Sequence, residues 1–102
     1  MPLLDDQLRG RLPPLYSQEA EPEPMVYARF HLPGTSQAWY VIEGLPEAKD
    51  YLFFGYVIGP NKFRQFRLSE LEAIRGLSDT RVERDLTFAE GRLTDVVPAP
   101  DS

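Results

Sequence analysis

Residues 38–68, AWYVIEGLPEAKDYLFFGYVIGPNKFRQFRL, decide the fold. In AWYVIE (38–43), Trp39 and Val41 oppose Tyr40 and Ile42, the period-2 pattern of a strand. YLFFGYVI (51–58) is apolar on both faces, which marks a central strand covered on both sides. Gly55 in its middle weakens the strand locally and implies a close-packed neighbour. FRQFRL (63–68) is more polar and suits an edge. Residues 44–50, GLPEAKD, and 59–62, GPNK, read as the loops between these strands.

Working outward, MVYARFHL (25–32) places Val26, Ala28, Phe30 and Leu32 on one face and Tyr27, Arg29 and His31 on the other. PGTSQ (33–37) is turn chemistry. RVERDLTF (81–88) alternates again, with Val82, Arg84, Leu86 and Phe88 against Arg81, Glu83, Asp85 and Thr87, and reads as a fifth strand. The expected architecture is α+β: a four- to five-stranded antiparallel meander with an amino-terminal helix and a short helix after the fourth strand.

The first helix is read over residues 3–12. Leu3, Leu4, Leu8 and Leu12 fall at helical spacing, acids come early and arginines late, and Pro13-Pro14 stops the helix. Leu15 and Tyr16 are expected to pack back on the core. The second helix follows Ser69-Glu70-Leu71-Glu72, which matches a capping box from Ser69 to Glu72, with Gly76 as the C-cap. Residues 17–24, SQEAEPEP, read as a solvated acidic connector inside a single domain over 1–96, and 97–102 as a disordered tail.

The net charge of −5 lies outside the meander. Residues 25–89 hold as many bases as acids, so the flanks carry all of the excess. With no basic excess, direct nucleic-acid binding and an anionic membrane surface are both disfavoured. Zero cysteines exclude disulfides and thiolate chemistry, and a lone histidine, His31, excludes a site built on two imidazoles. No apolar run approaches the length of a membrane span, and the acidic start MPLLDDQ is unlike a signal peptide, so a cytoplasmic protein is expected. Gly55, Gly59 and Gly76 form no phosphate-binding fingerprint.

The order WYVIEG (39–44), FFGYVIG (53–59), FRLSELEAIRG (66–76) and VERDLTF (82–88), after LPPLYSQE (12–19) and VYARFHLPG (26–34), resembles the bacterial family called domain of unknown function 2958. The resemblance covers roughly residues 8–95. It implies a shared fold and a setting on plasmids and integrative elements, and it supplies no mechanism. In one place the chain departs from the family pattern. Where the family has acidic residues and a glycine before its FSLSEL motif, this chain has the basic GPNKFRQFRLSEL, with Lys62, Arg64 and Arg67.

Among individual residues, His31 on the outer face of a strand reads as a surface histidine, with no nucleophile motif beside it. Glu43, Asp50, Glu83 and Asp85 lack the spacing of a cation loop, and no metal or cofactor is expected. Arg84 points toward an apolar face and therefore needs a partner, for which Glu43 or Glu72 is expected. The phenylalanines read as core, whereas Tyr27, Tyr40 and Tyr56 on an uncovered face would form a protein-binding patch. The expected binding residues are Tyr40, Glu43, Glu83, Arg84 and Asp85, with no catalytic residue. The function expected is a non-catalytic module that binds another protein. The alternatives are an acidic inhibitor of a defence nuclease, which the neutral meander weakens, and a small enzyme.

Overall fold

The computed structural model describes residues 3–18 and 21–97. Its main sheet is the expected antiparallel meander: β2 (Ala28–His31), β3 (Ala38–Glu47), β4 (Asp50–Ile58) and β5 (Lys62–Arg67) are neighbours in chain order. A two-residue strand, β6 (Glu83–Arg84), adds to the free side of β2 and completes five strands in the order β5-β4-β3-β2-β6. Two short strands, β1 (Met25–Val26) and β7 (Gly91–Arg92), pair with each other apart from this sheet. Helix α1 (Asp6–Arg11) precedes the strands, α2 (Leu68–Ala73) follows β5, and α3 (Leu93–Val96) follows β7.

The central strands have two different faces. Phe30, Trp39, Val41, Phe53, Val57 and Phe66 form the larger core, covered by Leu8 of α1, Leu71 of α2 and the flanking Leu3, Leu4 and Leu12. Phe53 sits at its centre, edge-on to Phe30 at 5.7 Å and tilted against Tyr51 and Phe66. The opposite face carries Val26, Ala38, Tyr40 and Ile42, packed at one end by Phe88, Leu93, Val96 and Val97. Toward β5 this face is less covered: Phe54, Tyr56 and Ile58 are half-buried and Phe63 is exposed.

Several boundaries differ from the sequence reading. Helix α1 is shorter, because Asp5 caps it by accepting the Leu8 amide at 2.8 Å, leaving Leu3 and Leu4 buried ahead of it. The strand expected over 25–32 breaks at Tyr27, where β1 leaves to pair with β7 and Val26 joins the second face. Residues 44–47 are not loop. β3 and β4 pair as far as Glu47 and Asp50, and a two-residue turn at Ala48-Lys49 closes them, Ala48 taking φ +53°. Helix α2 starts two residues early, with Arg67 rather than Ser69 as its N-cap: the Glu70 carboxylate accepts the Arg67 amide at 3.1 Å, and Ser69 instead donates to Asp50 from both its hydroxyl (2.5 Å) and its amide (3.1 Å). The helix ends before Ile74, and Gly76 is not its cap; the Gly76 amide donates to the Thr80 carbonyl. The strand expected over 81–88 is reduced to β6, because the Asp85 carboxylate takes the Thr87 amide and hydroxyl and turns the chain, leaving Leu86 exposed. The tail beyond Val97 lies outside the described residues, whereas Val97 itself packs on the second face.

Candidate functional site

A β-bulge determines the position of the buried carboxylate. Val41 pairs with Gly55 and Glu43 pairs with Phe54, so Ile42 is an extra residue in β3. The inserted residue shifts the alternation by one and puts Glu43 on the same face as Phe54, away from the larger core. Without the bulge, period-2 alternation would turn Glu43 toward the helix-covered core beside Val41. The bulge also explains Gly55: a Cβ there would stand 2.0 Å from the Tyr40 carbonyl oxygen, so only glycine lets the strands approach so closely.

Glu43, 3% exposed, accepts two backbone amides at 2.7 Å, that of Tyr16 on Oε1 and that of Gln18 on Oε2. Gln18 extends this attachment: its side-chain amide donates to the Met25 and Ile42 carbonyls and accepts the Met25 amide at 2.8 Å. Tyr16, and Gln18 of the expected solvated connector, are therefore fastened to β3. Tyr16 has φ +69°, a left-handed conformation that costs a side-chain-bearing residue about 1 kcal/mol and persists here because Glu43 holds its amide. Its side chain is 66% exposed rather than packed on the core, and its hydroxyl accepts from Gln65 of β5 at 3.2 Å.

This segment arches over the less covered face and encloses a groove of about 380 Å³. Ile42, Glu43 and Phe54 line it from β3 and β4, Phe63 and Gln65 from β5, and Leu15, Tyr16 and Pro22 from the overlying segment. Phe54 and Phe63 stack at 5.8 Å with their planes 7° apart, and Phe63 stands edge-on to Tyr56 at 5.1 Å. The lining is mostly apolar and aromatic. The Glu43 carboxylate, occupied by two amides, anchors the wall of this groove.

The five residues expected to form a site do not converge. Tyr40 is buried, 4% exposed, with Phe88 edge-on to it and the Arg29 guanidinium over its ring at 5.8 Å. Arg29 Nε donates to the Tyr40 hydroxyl and its Nη1 meets Asp85 at 3.3 Å. The Thr87 hydroxyl and amide, with the Arg29 charge, hold the Asp85 carboxyl below the usual carboxylate range. Arg84 pairs with neither Glu43 nor Glu72. It faces the helix-covered side and meets Asp5 at 3.1 Å, the same carboxylate that caps α1. A smaller polar cleft of about 220 Å³ beside Arg84 is lined by Gln7, Arg11, Tyr27 and Glu90, with Arg11 and Glu90 paired across it. Glu83 is exposed at the edge, opposite His31. Of the five, only Glu43 reaches the groove. The groove's own residues Tyr16, Phe54 and Phe63 were legible as aromatic, but no sequence pattern brings residue 16 over residue 63.

Among the described residues no group of three His, Cys, Asp or Glu side chains converges to hold a metal ion, and no helix is long and apolar enough to cross a membrane. A family model described as protein of unknown function (DUF2958) matches residues 3–98. The chain belongs to that family. No curated protein and no solved structure matches it.

Proposed function

We propose that this chain is a non-catalytic interaction module that binds another protein through the groove between β5 and the Tyr16–Gln18 segment. The setting we read for it is the cytoplasm of a bacterium carrying a mobile element, as the family resemblance implies. The observation that carries the reading is the unequal covering of the sheet. One face is closed by α1 and α2, while the other leaves Phe63, Tyr16 and part of Phe54 accessible around a preformed concavity. Exposed aromatic side chains gathered in a groove contribute large contact area at small entropic cost, the usual make-up of a protein-binding surface. Tyr40 and Arg84 drop out of the binding set, since one is core and the other joins α1 to β6.

The test is site-specific photo-crosslinking in the bacterial cells. A benzophenone amino acid replaces Tyr16 at the groove or Leu77, which is 92% exposed and not among the residues that line the groove. The expected result is a discrete crosslinked product with another protein from position 16 and none from position 77. No product from position 16, the same product from both positions, or a product containing only this chain would overturn the reading.

A further inference from the structure

The identity of the groove's occupant can be narrowed from the strand that forms its wall. β5 ends the sheet: it pairs with β4 on one side, and no described strand pairs with its other side. A six-residue edge strand of this kind presents a row of unpaired main-chain donors and acceptors, a template for adding a strand. The opposite edge, β6, is only two residues long and offers little ladder.

The side chains of β5 specify what could be added. Register with β4 places Lys62 opposite Val57 and Arg64 opposite Gly55, on the side of the helix-covered core. Phe63 lies opposite Tyr56 and Gln65 opposite Phe54, on the groove side. Lys62 and Arg64 are both exposed, and among the described residues neither has an acidic partner; Arg67, by contrast, meets Glu47 at 2.6 Å. A second copy of β5 is a poor occupant. Two-fold antiparallel pairing sets residues of the same face against each other. Centred on Arg64 it would oppose Arg64 to its own copy, like charges that destabilise the ladder, and centred on Gln65 it would leave Lys62 and Arg64 without a countercharge. An acidic strand meets the opposite condition.

Resting on the interaction-module reading, we propose that β5 takes an extended segment of a partner protein as an added strand. That segment alternates acidic residues, facing Lys62 and Arg64, with apolar residues, facing Phe63 and the groove. The main-chain ladder supplies the attachment, and the alternation supplies the selectivity. Because Lys62 and Arg64 are solvent-exposed, their attraction is screened by salt and sets partner choice and encounter rate more than tightness.

The probe is a fluorescent eight-residue peptide alternating Glu with Val and Phe, compared with the same peptide carrying Lys for Glu. Binding is followed by anisotropy at low salt and at 0.5 M salt. The full chain is expected to bind the Glu peptide at least tenfold more tightly than the Lys peptide, with the difference shrinking at high salt. K62E/R64E should reverse the preference while keeping the circular dichroism spectrum. Backbone amides of β5 should exchange more slowly when the Glu peptide is present, and methylating alternate peptide amides should abolish binding in one of the two phases. Equal binding of both peptides, no binding, or an unchanged preference in K62E/R64E would overturn the proposal. So would a dimer of the free protein that K62E/R64E dissolves, since the edge would then belong to a second copy. If the peptide fails but crosslinking from position 16 still succeeds, the groove reading stands and the acidic strand is wrong.

Discussion

Replacing Glu43 with Ala tests whether the arch over the groove is held by one carboxylate. The side chain is buried, and each of its oxygens accepts one backbone amide at 2.7 Å. Hydrogen bonds to an ionised group contribute about 1.5–3 kcal/mol each, more than neutral ones. Alanine removes both acceptors and strands two donors that have no intrasegment partner. Water can reach Tyr16, so the lower end of the range applies to its amide, and the combined loss is about 3 kcal/mol. For a chain of this length that is a fall of about 12–24 °C in melting temperature. Glu43→Gln is the sharper variant. Its amide nitrogen is a donor and cannot accept, so one of the two backbone amides is left facing another donor, and roughly half of the loss should appear without any change in volume. Thermal melts give the global cost, and hydrogen exchange at the Tyr16 and Gln18 amides gives the local one. Melting temperatures within about 2 °C of wild type for both variants, with those two amides exchanging no faster, would refute the assignment of Glu43 as the anchor.

Gly55→Ala should be far more damaging than a single methyl suggests, because its Cβ would fall 2.0 Å from the Tyr40 carbonyl oxygen and β3 would have to part from β4. The expected cost is about 3 kcal/mol or more, read by chemical denaturation or as loss of soluble protein. Acidification should destabilise the fold through three carboxyls held below their ordinary value of 3.8: Asp5 by the Leu8 amide and Arg84, Asp50 by the Ser69 hydroxyl and the Tyr51 amide, and Asp85 by Thr87. Each favours the folded state fully above 3.8, and its contribution is lost as pH falls through the lower folded-state value. Ser69→Ala should move the Asp50 carboxyl back up toward 3.8 in an NMR titration and leave Asp5 and Asp85 where they are; an unmoved Asp50 would show that the Ser69 hydroxyl is not its partner.

Much of the sheet was legible because local periodicity reports which face a side chain occupies. The alternation of residues 28–32 corresponds to the burial seen in β2, whereas β4, expected to be covered on both sides, is buried toward the helices and only half-buried at Phe54, Tyr56 and Ile58. What local pattern does not carry is an interruption of the period. The extra residue at Ile42 reverses the facing of Glu43, and nothing in AWYVIEG marks it. Gly44 and Pro46 suggested a loop, yet both sit in β3. Pro46 pairs with Tyr51 near the hairpin end, and a Cβ on Gly44 would stand 2.5 Å from the Tyr51 ring. The candidate site was less legible still, because its contacts join distant segments. Arg84 was recognised as needing a partner, but Asp5 lies at the other end of the chain. Glu43 was recognised as a carboxylate of interest, but its partners are backbone amides, which leave no mark on residue type.

The two-residue turn at Ala48-Lys49 also bears on the order in which the molecule is built. β3 and β4 run together from that turn for most of their length, so each ladder contact after the first closes only a slightly longer loop. The Glu43 attachment to residues 16–18, the Arg84–Asp5 pair and the Arg11–Glu90 pair all join segments far apart in the chain, and closing them early would cost far more chain entropy. A transition state with the hairpin formed and the amino-terminal arch still free follows from that difference. Substitutions in the arch then act on the unfolding rate and leave the folding rate nearly unchanged. By the same measure the groove's arch, which joins residues 25 and 27 apart, closes after the hairpin and before the pairs that join residues 79 apart, so the groove is assembled on a sheet that already exists.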